Sequence, residues 1–171
     1  MKRIILLVIF LNLFRYIYSQ TKEKIFYANE LNDYVILIDR TAKVQKQTLD
    51  NGYLETFVFT KDGQFIFVLT FSKTLALGLT KDSVNTPEFM QSYIDNCSCE
   101  IIATNQKHYN NINTLQYYIK RQEDGKILYG LSENFIIGSS LFNVVYMTTE
   151  NNFELYKIDY EQIINTLIIN E

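Results

Sequence analysis

The chain predicts an α+β fold, an antiparallel sheet with a hairpin and a C-terminal three-strand meander, covered by two or three helices as an α/β/α sandwich. Three observations carry this reading. Apolar runs alternate with turn signals over Thr114 to Met147, the spacing of consecutive antiparallel strands. Two further apolar runs flank Lys61-Asp62-Gly63-Gln64, and Asp-Gly is a favoured pair for a two-residue hairpin turn. Helical patterns then follow Thr86-Pro87 and end the chain.

From the beginning, Lys2 and Arg3 precede an apolar stretch, Ile4 to Phe14, interrupted by Asn12. Such a run is too short for the ~20 residues that span a bilayer and suits the core of a secretory signal. Residues 1–19 are therefore read as a signal peptide cut after Ser19, against an uncleaved N-terminal anchor. Ile17 and Arg15 fit the cleavage pattern less well than Ser19 does. With both cysteines far downstream, a lipid anchor is not expected. Residues 20–171 then form a single domain, long enough to bury a core without disulfide support. Its 13 basic residues, the 16 of the chain without Lys2, Arg3 and Arg15, face 19 acidic ones, a charge near −6. A mildly acidic surface without basic clusters argues against nucleic acid as a partner. Membrane contact is expected only if the signal segment stays uncut.

Tyr34-Val35-Ile36-Leu37-Ile38 fits both a helix face and a buried strand; its β-branched and aromatic content favours the strand. Leu54 to Phe71 gives the hairpin, with apolar residues on both faces of both strands, which implies cover on both sides of the sheet. Thr86 and Pro87 suit an N-cap and a first helical position, with Phe89, Met90, Tyr93 and Ile94 as the core face. Glu100 to Thr104 reads as a short strand and Asn105 to Asn113 as a polar loop. The meander follows, its strands separated by Glu123-Asp124-Gly125 and Gly138-Ser139-Ser140. The last helix is expected to start at Asp159, capped with Gln162 and stapled by Ile158 and Ile163. Tyr160, Ile163, Ile164, Leu167 and Ile168 would line its buried face.

This order of elements resembles the PsbP/DcrB-like family of secreted or lumenal α/β/α sandwich proteins. The resemblance rests on Tyr129 to Met147, with Gly138 at its centre, and on Phe153 to Leu167, where a Phe-led approach enters an Ile-Ile-x-x-Leu helix. It covers residues 57–168. It implies an accessory or interaction protein without catalysis and transfers no functional residue.

The candidate sites are few. Cys97-Ser98-Cys99 is read as a disulfide or redox pair, with buried free thiols as the alternative. On a strand the two side chains would face the same way. With Cys97, Cys99 and His108, the only histidine, a zinc site would lack one good nitrogen or sulfur donor, and His108 lacks the partners of a nucleophile–base pair. Glu30 with Asp33, and Asp159 with Glu161, suit solvated faces and caps. No metal or cofactor is expected. The 13 tyrosines and 12 phenylalanines read first as core and cross-strand packing, and second as an aromatic binding patch of Tyr117, Tyr129 and Tyr146, with Tyr118 the alternative to Tyr117. The expected role is a non-catalytic protein of the exported (periplasmic or secreted) fraction that binds another exported or envelope protein. A carrier of a small apolar ligand or peptide, with a pocket under the C-terminal helix, is the alternative, and an enzyme of unknown class is the third reading.

Overall fold

The structure, a computed structural model, describes residues 23–109 and 112–170. The segment read as a signal peptide, 1–19, lies outside the described residues. The described chain folds into two antiparallel sheets and two helices. The smaller sheet joins β1 (Lys24–Ala28), β2 (Tyr34–Asp39) and β10 (Ile168–Ile169), with β2 in the middle. The larger has seven strands, β3 (Lys43–Leu49), β4 (Gly52–Lys61), β5 (Gln64–Leu75), β6 (Cys99–Tyr109), β7 (Ile112–Glu123), β8 (Lys126–Ile137) and β9 (Ser140–Thr149). Their order across the sheet is β3-β4-β5-β9-β8-β7-β6.

The turns follow from residue chemistry. Asp62 and Gly63 close β4 onto β5, and Asp124 and Gly125 close β7 onto β8, all four at positive φ. That backbone matches the strand twist of a two-residue hairpin. After β5 the chain crosses through a 3-10 turn (Ser83–Asn85) and α1 (Pro87–Cys97) to the far edge, then returns strand by strand. The return ends with β9 paired to β5, Phe67 opposite Thr148 and Leu75 opposite Ser140. That pairing seals the hairpin to the meander.

Helix α1 starts as its sequence suggests: the Thr86 side chain accepts from the Phe89 N–H at 3.3 Å, and Pro87 opens the helix. It ends at Ser98, which turns into the left-handed region at φ 50°. Of the polar loop expected over residues 105–113, residues 105–109 are instead the outer half of β6 and 112–113 the start of β7, while 110 and 111 lie outside the described residues. Edge-strand residues such as Asn105, Gln106 and Lys107 pair by backbone with β7 while most of their side chains face solvent, so composition gave no strand signal. The final helix is also longer than expected. Helix α2 runs Glu150–Ile164 with Thr149, not Asp159, at its N-cap. Its first turns are held by Phe153, whose ring lies 5.9 Å from that of Tyr146 and 6.1 Å from that of Tyr129. Leu167 is buried beyond the helix end, and Ile168 is exposed on β10.

The two faces of the large sheet carry separate cores. One face presents Phe57, Leu69, Phe71, Leu131, Val144 and Tyr146, covered by Tyr160, Ile163 and Ile164 of α2 and by Tyr34, Ile36 and Ile38 of β2. At roughly 25 cal/mol per Å² of apolar surface, these aromatic and branched side chains make this the main stabilising layer. On the other face, Tyr117 and Ile119 pack beneath Met90 and Tyr93 of α1, and Ala76, Val84 and Ile136 form a smaller cluster. Helix α1 lies at the β6 side. Val58 and Val68, on the hairpin half of that face, therefore stay half-buried rather than covered as both-sided apolar strands suggest.

Gly130 on β8 marks the tightest strand approach of the meander. A β-carbon there would meet the Tyr146 carbonyl oxygen and the Met147 sulfur, both at 2.3 Å. The thioether can swing away; the carbonyl belongs to the β8–β9 ladder and cannot. Gly130→Ala is expected to lower stability by about 1–3 kcal/mol in urea unfolding, and an unchanged midpoint would contradict the packing described.

Candidate functional site

Two surfaces stand out, both formed where the small sheet and α2 meet the rest of the molecule. The first is a cleft of about 410 Å³ beside α2. Its floor is apolar: Phe59 and Ile66 from the β4–β5 hairpin, Phe67, and Tyr156 and Ile163 from α2. Phe59 and Phe67 stack with ring centroids 4.2 Å apart, and a register irregularity between Phe59 and Thr60 bends the hairpin at this point. The walls are charged, with Lys24, Asp39, Lys61 and Asp159 beside Gln162. Lys24 Nζ donates to Gln162 Oε1 at 3.4 Å, and Asp39 Oδ1 accepts from the Thr41 N–H at 2.9 Å.

The second surface is the outer face of the small sheet. Phe26 pairs with Leu37, Ala28 with Val35, and Val35 with Ile168, so side-chain alternation brings these residues to one side. Tyr34, Ile36 and Ile38 point the other way, into the core. Phe26 is 76% exposed and Ile168 54% exposed. An apolar row thus crosses all three strands on the solvent side, and β1 pairs only with β2, leaving its other edge free among the described residues.

A further cleft of about 650 Å³ lies beside α1, between Phe89, Tyr93 and Leu141, with Asn134 and Asn143 in its wall.

The buried carboxylates serve the fold. Glu55 accepts from the hydroxyls of Tyr34 and, at 3.1 Å, Tyr27, with Lys46 at 3.7 Å. Glu133, wholly buried on β8, accepts from the Tyr160 hydroxyl of α2 and from the Gln116 amide at 2.9 Å. Partly buried Asp33 pairs with Lys73, and exposed Glu30 pairs with Lys46 at 2.6 Å on the surface. Charges taken out of water need such partners to avoid a cost of several kcal/mol.

The residues singled out by sequence fall in different places. Cys97 and Cys99 form a disulfide with Cα atoms 5.2 Å apart, but not along one strand: Cys97 ends α1, Cys99 opens β6, and Ser98 makes the bend. Half-buried Cys97 and buried Cys99 pack with Tyr117 and Ile119. Tyr117, Tyr129 and Tyr146 do not make one patch. Tyr117 and Tyr146 are fully buried on opposite faces of the sheet. The Tyr117 hydroxyl donates to the Val84 carbonyl at 2.7 Å and that of Tyr146 to the Phe153 carbonyl at 3.1 Å. Tyr129 shares the face of Tyr146 and lies half-buried against Phe153. His108 is exposed on β6 with Nδ1 2.8 Å from Asn113 Oδ1. No group of metal-ligating side chains assembles among the described residues. The sequence places a pocket under the C-terminal helix but assigns none of the cleft's residues to it, and it does not locate the small-sheet face. The alternation of Phe26 with Ile25 and Tyr27 was that face's one available signal, and the partner strands that give it meaning come from distant parts of the chain.

No family model matches the chain, and no curated protein matches it. Solved structures do. The fold is similar to that of cyanobacterial PsbP from Synechocystis sp. PCC 6803, with a TM-score of 0.62, 12% identity, and coverage of 87% of this chain and 94% of that one. It is similar also to PA94, a protein of unknown function from Pseudomonas aeruginosa, with a TM-score of 0.60, 10% identity, and coverage of 87% of this chain and 99% of that one. A protein of Bacteroides thetaiotaomicron VPI-5482 superposes with a TM-score of 0.59 at 10% identity over 88% of this chain and 50% of its own. The chain has a PsbP-like α+β fold. The likeness covers 87% of this chain, a larger share than the residues 57–168 carried by sequence pattern.

Burial sets the response to alkali. Desolvation, then the charge of neighbouring Tyr93, pushes the Tyr117 phenol up to about 12. Desolvation raises Tyr146 also, with Asp159 and Glu154 adding to it, and raises Tyr34, with its bond to Glu55 adding to it. An unfolded phenol titrates near ~10. Above that pH the unfolded state binds fewer protons than the folded one, so stability is complete below about pH 10 and falls as pH rises toward 12. Phenolate absorbance from the buried tyrosines should therefore appear together with loss of the circular dichroism signal. Full ionisation near pH 10 with the fold retained would contradict this.

Proposed function

We propose that the chain is a non-catalytic accessory protein of the exported fraction that binds another exported or envelope protein through the outer face of its small sheet. The observation that carries this is the apolar row of Phe26, Val35, Leu37 and Ile168 on the solvent side of β1, β2 and β10. Contiguous exposed apolar surface is costly to leave in water and marks contact sites. The edge of β1 that no described strand pairs adds a line of backbone donors and acceptors that an extended partner segment can pair with. The same strand supplies both. Export rests on the n-region and apolar run before Ser19.

A second reading is favoured by a specific feature. The cleft beside α2 falls within the roughly 300–1,000 Å³ of small-molecule sites and has an aromatic floor, which suits a carrier of a small ligand.

Phe26→Glu tests the first reading. The side chain is 76% exposed, so the change should leave stability within about 0.5 kcal/mol. Capture of a defined partner from the exported fraction should fall at least about tenfold, the loss of an interface anchor being worth ~1.4 kcal/mol or more. Equal capture by the variant and the unaltered chain would remove the small-sheet face from the account.

A further inference from the structure

We infer that the cleft beside α1 binds an uncharged molecule with an apolar body and an acceptor oxygen, the chemistry of a ketone, an ester or an amide. The site lies on the face of the large sheet opposite to α2, apart from both surfaces invoked above.

The floor of this cleft has a polar break. On the α1 side the apolar packing comes in two patches, one around Ile136 and Leu141, the other around Tyr117, Ile119 and Val145. Between them stand Ser132 and Asn134 of β8, with Asn143 of β9 directly across from Asn134. Asn143 Nδ2 donates to Asn134 Oδ1 and to Ser132 Oγ, each at 2.9 Å. Those bonds fix the Asn134 amide with its oxygen engaged and its nitrogen as the open end. Asn134 is 2% exposed, and its Nδ2 has no hydrogen-bond partner among the described residues. Folded proteins pair nearly all such donors, because a buried donor without an acceptor has given up its water for nothing.

The cleft supplies both room and apolar surface for a group that would meet this donor. Helix α1 stands over the sheet without burying any of its 11 residues. The space left beside it, about 650 Å³, falls within the range of small-molecule sites. Leu79, Phe89 and Leu141 offer apolar contact. Other polar groups of the lining are engaged close by in sequence. The Thr86 hydroxyl accepts from the Phe89 N–H and donates to the Ser83 carbonyl, and the Ser92 carbonyl accepts from Asn96.

Charge narrows the class of ligand. Glu88, exposed in the first turn of α1, is the charged side chain among the described lining residues. It repels an anion, while a cation drawn to it would bring positive charge toward the Asn134 N–H. A neutral acceptor satisfies Asn134 without opposing Glu88. Water also meets the donor but gains nothing from Leu79, Phe89 and Leu141.

The test is a titration of the isotope-labelled full chain with benzylacetone, followed by backbone amide shifts and the side-chain amide of Asn134. The comparison probe is hydrocinnamate, in which a carboxylate oxygen replaces the methyl group of the ketone. The inference expects saturable shifts at Phe89, Tyr93 and the Asn134 side-chain amide, with the carboxylate at least about tenfold weaker. It expects a comparable loss of ketone binding in Asn134→Asp, which keeps an acceptor for Asn143 and removes the donor. Asn134→Leu, which removes the amide without adding a charge, gives the same reading if the acid disturbs the fold. Equal binding of ketone and carboxylate would overturn the neutral class. Unchanged ketone binding by Asn134→Leu, or shifts at Phe89 and Tyr93 with the Asn134 amide unmoved, would overturn the role of the buried donor. Absence of shifts with either probe, in a chain whose spectrum stays folded, would overturn the site itself.

Discussion

Everything in this molecule depends on covering one face of the seven-stranded sheet. That face carries Phe57, Leu69, Phe71, Leu131 and Tyr146 side by side, a surface that cannot stay in water. The cover comes in two pieces from opposite ends of the described chain, β2 near the start and α2 near the end, and β10 joins them by pairing with β2. Because the cover is divided, it leaves a seam where α2, the small sheet and the tip of the β4–β5 hairpin meet. The cleft is that seam. Because one piece of the cover is a thin sheet, it also has an outer side, and its apolar row is the price of making a two-faced element from alternating residues.

Polar groups tie the cover down. Glu133 on the sheet receives the Tyr160 hydroxyl from α2, and Glu55 receives the Tyr34 hydroxyl from β2. Each buried carboxylate thus bridges the large sheet to one piece of its lid. A bond of this kind adds modest net stability, and losing it leaves a buried polar group with one partner fewer. The aromatic abundance has the same explanation. Tyrosine fills the core with its ring and answers a buried acid or carbonyl with its hydroxyl.

Local chemistry made much of the fold legible. Asp62-Gly63 and Asp124-Gly125 dictated turns, Thr86-Pro87 dictated a helix start, and the β-branched run at Tyr34 to Ile38 tipped toward a strand. What failed was whatever needed distant partners. The first turns of α2 contain Asn151 and Asn152, weak helix formers, and are held by Phe153, which docks on Tyr118, Tyr129 and Tyr146. The outer half of β6 looks like a polar loop because an edge strand needs only backbone pairing on one side. Tyr117, Tyr129 and Tyr146 sit on neighbouring strands, but strand register decides faces, and it sends Tyr117 to the side opposite Tyr146. The cleft joins residues from β1, β2, the hairpin and α2, a juxtaposition no local pattern encodes.

The central claim is that α2 is an integral half of the cover rather than an appended helix. Native-state hydrogen exchange on the full chain tests it directly. The account predicts that amides of the second half of α2, around Tyr160 to Ile164, exchange only with global unfolding, at the same free energy as the central strands β5, β8 and β9. Exchange of these amides through a separate opening several kcal/mol below the strands would contradict it, and would detach both the cleft and the small sheet from the core that positions them.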